Sequence, residues 1–171
     1  GGAAVMNAGA YGGEMKDVLE QVTVLTKEGE LLTIPREELD MGYRTSKVAK
    51  NQYIVLEAVI HLAHGEKEKI REKMNELKEK RTTKQPLEYP SAGSTFKRPE
   101  GYFAGKLIEE AGLRGFQVGG AQVSEKHCGF VINKDNATAA EVRELIRQVS
   151  ERVKANSGVT LEPEVKMLGE F

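Results

Sequence analysis

"NATAAEVRELIRQVSERVKANSG", residues 136–158, decides how the second half of this chain folds. Thr138 followed by Glu141 is a capping box, in which the hydroxyl and the carboxylate each accept a backbone N–H that the first helical turn leaves unpaired. Val142, Ile146, Val149 and Val153 then recur at helical spacing on one face, and Gly158 can take the left-handed conformation that ends a helix. A helix apolar on one side needs a surface to cover. Apolar segments at 116–118 and 130–132 precede it, and "VTLEPEVKML" (159–168) follows as an expected final strand. Further upstream, Ala104, Leu107, Ile108 and Ala111 mark a shorter amphipathic helix with Gly112 as its C′ residue. Residues 88–171 are therefore expected to form a small sheet covered by helices, an α/β sandwich.

The first half has a different rhythm. "QVTVLT" (21–26) alternates apolar with polar residues, "KEGE" supplies a turn, and "LLTIP" (31–35) and "YIVLEAVIHLA" (53–63) continue in a β-rich pattern, so antiparallel strands are expected within residues 1–64. "GEKEKIREKMNELKEK" (65–80) places Ile70, Met74 and Leu77 on one narrow stripe, expected to face protein, while its alternating Lys and Glu form a solvated face. Residues 65–87 then read as a connecting helix and linker, and the whole chain as α+β.

Composition limits the function classes. The 25 basic and 26 acidic residues interleave to a formal charge of −1, which leaves no field to hold nucleic acid, so any anion must be bound locally. No apolar run approaches the roughly 18 residues that span a bilayer, and no signal peptide pattern opens the chain, so neither membrane nor export is expected. The single cysteine, Cys128, excludes an internal disulfide and fits a cytoplasmic setting as a small buried residue. His61, His64 and His127 lack metal-ligand spacing, and no metal is expected. A monomer is the default expectation. The opening "GGAAVMNAGAYGGEM" has no initiator Met and reads as the middle of a glycine-rich turn, as in a fragment of a longer protein.

The densest cluster of chemistry is "YPSAGSTFKRPEGYFAG" (89–105), where Ser94 sits beside Lys97, Arg98 and two prolines. In isolation this reads as a turn with a solvated basic pair. In order along the chain, however, "GGAAVMNAGAYGG" (1–13), "GYRTS" (42–46), "KQPLEYPSAGSTFKRP" (84–99), "GGAQVSEKHCGFVIN" (119–133), "NATAAEV" (136–142) and "LEPEV" (161–165) resemble the successive blocks of the UDP-N-acetylenolpyruvoylglucosamine reductase family, MurB, in its shorter subtype.

The resemblance implies the C-terminal part of an FAD-binding domain, built of antiparallel strands, followed by the substrate-binding domain, with the N-terminal part of the FAD-binding domain lacking. It implies FAD and NADPH as cofactors, and as substrate UDP-N-acetylglucosamine enolpyruvate, reduced to UDP-N-acetylmuramate for peptidoglycan synthesis. On the matching positions, Ser94 corresponds to the proton donor, Arg44 to the cation that polarises the substrate carboxylate, and Glu164 to the carboxylate that works with it on the enol. Serine is a weak acid, so neighbouring cations, Lys97 or Arg98, would assist it. Arginine suits a carboxylate because its planar fork meets two oxygens and stays charged. Many family members have Asn where this chain has Arg98. Tyr43, Lys84, Lys97, Arg98 and His127 are implied substrate contacts, and Gly2, Asn7, Gly9, Ala10 and Tyr11 implied flavin contacts. The alternatives are another FAD-linked oxidoreductase sharing the flavin lobe, or a nucleotide-sugar binding module without turnover.

Overall fold

Val22 and Val24, the inward members of the alternating run at 21–26, are fully buried, and the first of two structural units is built around them. The computed structural model describes residues 1–170 and divides into Gly1–Glu66 and a second unit from Lys67 onward. Phe171, the last residue of the expected sandwich, lies outside the described residues.

The first unit runs α1 (Gly2–Val5), β1 (Gly9–Ala10), β2 (Gly13–Glu14), a 3-10 turn at Met15–Asp17, β3 (Leu19–Leu25), β4 (Leu31–Pro35), a second 3-10 turn at Arg36–Glu38, α2 (Lys47–Asn51) and β5 (Ile54–Ile60). Strands β4, β3 and β5 form an antiparallel sheet in that spatial order. The β3–β4 turn is closed by Thr26, whose hydroxyl accepts the N–H groups of Glu28 and Glu30, with Gly29 in the left-handed region that the turn requires. Leu19, Val22, Val24 and Ile34 on the sheet pack with Ala4, Leu39 and Val48. The other face is different: Leu25 pairs with Leu31 and Ile54, and Leu31, Ile54 and Leu56 are 66%, 60% and 56% exposed. Ser46 caps α2 by accepting the Ala49 N–H and also donates to the Val5 carbonyl at 2.5 Å, which ties α1 to α2. His61 and His64 fall just past the end of β5, not within it.

The second unit contains α3 (Lys67–Lys84), β6 (Ser91–Ser94), α4 (Ala104–Glu110), β7 (Gln117–Val118), β8 (Ala121–Val123), β9 (Phe130–Asn133) and α5 (Ala139–Ser157). Its four strands are antiparallel in the order β6-β9-β8-β7. Helix α5 packs on β7, β8 and β9, and α4 packs on α5, which is the sandwich expected. Leu145, Ile146, Val149 and Val153 are the buried side of α5. Burial of each such side chain stabilises by about 1.5–3 kcal/mol before chain entropy is counted. The capping box forms as read: Thr138 Oγ1 accepts from Glu141 N at 3.2 Å and Glu141 Oε2 from Thr138 N at 2.8 Å. Gly112 ends α4 at φ 71°, with its N–H on the Glu109 carbonyl and that of Leu113 on the Ile108 carbonyl, a Schellman arrangement.

Two expectations are corrected. Residues 159–168 form no strand of the sheet. The segment instead makes one short bridge, Phe96 with Pro163. The stripe on α3 faces protein at most at Leu77, which is half-buried: Ile70 and Met74 are 50% and 66% exposed, and no residue of α3 is fully buried. The helix is held along its own surface by pairs such as Glu76 with Lys73 and Lys80.

Candidate functional site

In the first unit, "AYGG" forms a tight hairpin. Ala10 pairs with Gly13, and both central residues, Tyr11 at φ 53° and Gly12 at φ 88°, are left-handed, as a two-residue primed turn demands. A second tight turn, Gly42 to Thr45, is closed by reciprocal backbone bonds of 3.1 and 3.4 Å and holds Arg44 at φ 55°. That conformation costs an arginine roughly 1–2 kcal/mol relative to its preferred backbone, a strain of the kind that persists where function fixes a side chain.

The two turns border one cleft of about 460 Å³, lined by Gly9, Ala10, Gly12, Gly13, Glu14, Lys16, Asp17, Tyr43 and Arg44. It brings Gly9 and Ala10 together with Tyr43 and Arg44. Tyr43 presents its ring to the Arg44 guanidinium, whose carbon lies 5.1 Å from the ring centre. A Cβ added at Gly12 or Gly13 would meet no atom within 4 Å, so this wall offers open backbone. The bare backbone lets a flat ring approach closely, and the cations Lys16 and Arg44 stand there with the carboxylates of Glu14 and Asp17. Gly2 lies in α1, and neither it nor Tyr11 lines the cleft. Asn7 is placed differently from a ligand contact: its side chain is 1% exposed, and its amide is bonded to Glu14, Gly42 and Lys16.

Glu14, Lys16 and Asp17 were not singled out in the sequence, although "GGEMKD" follows directly on the glycine run. Glu14 and Asp17 form a second capping box around the 3-10 turn. The Lys16 ammonium, 2.7 Å away, and then the Asn7 amide hold the Glu14 carboxyl below its usual range, so it remains charged beside Arg44.

In the second unit, the segments that carry Ser94 and Glu164 run side by side as one ribbon. Glu164 N donates to the Thr95 carbonyl at 2.8 Å and Lys97 N to the Glu162 carbonyl at 2.9 Å, on either side of the Phe96–Pro163 bridge. Thr95 is buried and its hydroxyl accepts the Val131 N–H at 2.9 Å, which fixes the ribbon to the sheet. Ser94 is exposed, follows Gly93 at φ 86°, and among the described residues its hydroxyl makes one long 3.4 Å bond, to the Phe96 carbonyl, so it can turn toward a ligand. The ammonium of Lys97 pairs with Glu162. Arg98 stacks on Phe103 at 4.0 Å and donates from Nε to the Tyr102 carbonyl at 3.3 Å, bracing the turn of residues 99–102. Glu162 and Phe103 are partners that no spacing in the sequence announced.

His127 accepts the Gly129 N–H on Nδ1 at 3.0 Å, and it stands edge-on to Phe130 at 5.0 Å. Lys84 is exposed at the end of α3. Cys128 is buried, and burial pushes its thiol up, away from the reactive thiolate.

Residues 85–168 match the family described as UDP-N-acetylenolpyruvoylglucosamine reductase, C-terminal domain. A protein of Agathobacter rectalis named UDP-N-acetylenolpyruvoylglucosamine reductase is 66% identical over 171 residues, all of this chain and 54% of its own length. One of that name in Lachnoclostridium phytofermentans is 61% identical over 170 residues, covering 99% of this chain and 55% of its own. The crystal structure of the Thermus caldophilus enzyme of that family, MurB, superposes with a TM-score of 0.85 at 40% identity, over 97% of this chain and 59% of that one. The chain thus spans little more than half the length of the relatives it matches.

Proposed function

Because this chain is a stretch of the UDP-N-acetylenolpyruvoylglucosamine reductase family, with that family's C-terminal domain at residues 85–168, we propose that it carries the substrate-handling part of a flavin-dependent reductase. The protein containing it reduces UDP-N-acetylglucosamine enolpyruvate to UDP-N-acetylmuramate, with NADPH as reductant. FAD, when bound, supplies the hydride. The residues of this chain hold the enol ether, stabilise charge on its carboxylate and deliver the balancing proton.

Arg44 meets the substrate carboxylate with its two-pronged guanidinium, which remains charged through the reaction. As hydride adds to the β-carbon, negative charge spreads onto that carboxylate as an enol-like anion, and Arg44 lowers the barrier by holding it there. Ser94 gives a proton to the α-carbon from its exposed, weakly bonded hydroxyl and recovers one from solvent. Glu164 orients the enol. The observation that supports this reading is the bond from Glu164 N to the Thr95 carbonyl, which brings the segments that carry Ser94 and Glu164 side by side.

Gly9, Ala10, Gly12 and Gly13 are the flavin wall of this reading, and Tyr43, Lys84, Lys97, Arg98 and His127 remain the candidate substrate contacts. Lys97 is paired with Glu162 and Arg98 with the Tyr102 carbonyl, and either cation remains a candidate helper for Ser94. The test is NADPH oxidation by the full-length enzyme, measured with and without UDP-N-acetylglucosamine enolpyruvate. Oxidation that depends on this substrate, with UDP-N-acetylmuramate as product, is expected. Oxidation at the same rate without it would contradict the proposal.

A further inference from the structure

We propose that Asn7 is a positioning residue for Arg44, acting through the peptide of Gly42. The inference rests on the reading that Arg44 faces the substrate carboxylate. Asn7 is 1% exposed and has φ 46°, a left-handed conformation that asparagine tolerates better than most residues. Its Nδ2 donates to the Gly42 carbonyl at 3.1 Å and to Glu14 Oε2 at 3.0 Å, while Oδ1 accepts the Lys16 N–H at 2.9 Å. Both amide hydrogens are engaged inside the protein and the oxygen accepts a bond there too, and at 1% exposure the side chain is closed to a ligand.

Those three bonds tie Asn7 to two other stretches of the chain. Gly42 opens the tight turn that carries Arg44, Glu14 ends β2, and Lys16 lies in the 3-10 turn beyond it. The direction of the Gly42 carbonyl sets the plane of the first peptide of the Gly42–Thr45 turn. That plane in turn fixes the backbone from which Arg44 departs at φ 55°. A strained residue holds its conformation only where its surroundings over-determine it, and the Asn7 amide is the buried contact that does so here. Glu14, kept charged by Lys16 and Asn7, holds the second amide hydrogen and so prevents Asn7 from rotating away from Gly42.

The test is made in the full-length enzyme, with Asn7→Asp and Asn7→Gly each placed beside either Arg44 or Arg44→Ala. Asn7→Asp keeps the acceptor for the Lys16 N–H but removes both donors. Asn7→Gly accepts the φ without strain and so guards against a variant that fails to fold. With Arg44 present, both should lower substrate turnover by about 100-fold, the scale of a misplacement near 1 Å. On Arg44→Ala they should lower the residual turnover by no more than about twofold, while each shifts the urea midpoint equally in both backgrounds. Calorimetry of substrate binding to the oxidised enzyme, without NADPH, should repeat this non-additivity in affinity. Equal losses in the two backgrounds would make Asn7 a purely structural residue and overturn the proposal. A folded Asn7→Gly variant with near-normal turnover would overturn it as well. If Arg44→Ala alone leaves turnover intact, the underlying reading of Arg44 fails and the inference falls with it.

Discussion

The backbone N–H of Glu164 donates to the carbonyl of Thr95 at 2.8 Å, while the Thr95 hydroxyl takes the N–H of Val131. Thr95 is thus the joint between the ribbon that carries Ser94 and Glu164 and the sheet beneath it. Thr95→Val removes the hydroxyl and leaves the Val131 N–H buried without its acceptor, which should cost about 1–3 kcal/mol. Thr95→Ser keeps the oxygen and loses one methyl group, worth about 0.8 kcal/mol. Urea denaturation of the two variants measures the difference, and equal losses would show that the hydroxyl is not the joint.

Arg44 holds a conformation that suits glycine better than arginine. Arg44→Gly and Arg44→Ala both delete the guanidinium, and both should lose substrate turnover. Only the alanine retains the Cβ that makes φ 55° costly, so the glycine variant should be the more stable by about 1 kcal/mol. A more stable alanine variant would mean that the turn is not strained at this residue.

Glu141 accepts N–H groups from Thr138 at 2.8 Å and Gly120 at 3.4 Å, and these bonds, that of Thr138 first, hold its carboxyl below the usual range. A carboxyl lowered in the folded state contributes stability that is present above its unfolded value of about 4.3 and is lost as pH falls through the folded value. Glu141→Gln can still accept these bonds but has no charge to lose. Its deficit in stability should therefore be constant near neutrality and shrink below about pH 4.3. Denaturation midpoints across an acid series check this, and a deficit that grows on acidification would contradict it.

Leu31 and Ile54 flank Leu25 on the exposed face of the first sheet. An exposed apolar patch of this kind marks a surface that another segment covers, or a site of aggregation. Leu31→Glu with Ile54→Lys should raise the solubility limit of the 171-residue chain while changing its stability by no more than about 0.5 kcal/mol, as exposed positions allow. A large fall in stability would mean that these side chains are packed in solution.

Much of the fold was legible because its signals are local. The Thr138–Glu141 box, the apolar face of α5 and the glycine stops at Gly112 and Gly158 depend on residues within a turn or two of one another. The alternation in β3 announced its buried face for the same reason. What failed depended on distant partners. The stripe of Ile70 and Met74 looked like a packing face, but periodicity alone cannot say whether anything lies opposite it. Residues 159–168 looked like a strand, but the partner they find is one short bridge, Phe96 with Pro163. The candidate site divides in the same way. Ser94, Arg44 and Glu164 stood out through a family pattern, whereas Thr95, Glu162, Glu14 and the inward turn of Asn7 gain meaning only from contacts made across the fold.

Ser94 is the residue on which the proposed chemistry depends most, and stopped-flow measurement of the two half-reactions in full-length Ser94→Ala tests it directly. Reduction of the enzyme by NADPH needs no proton from Ser94 and should proceed at close to the normal rate. Reoxidation by UDP-N-acetylglucosamine enolpyruvate needs that proton and should slow by a factor of roughly 100 to 10,000, the contribution typical of a positioned acid. Equal slowing of both half-reactions, or reoxidation at the normal rate, would contradict the assignment of Ser94 as proton donor.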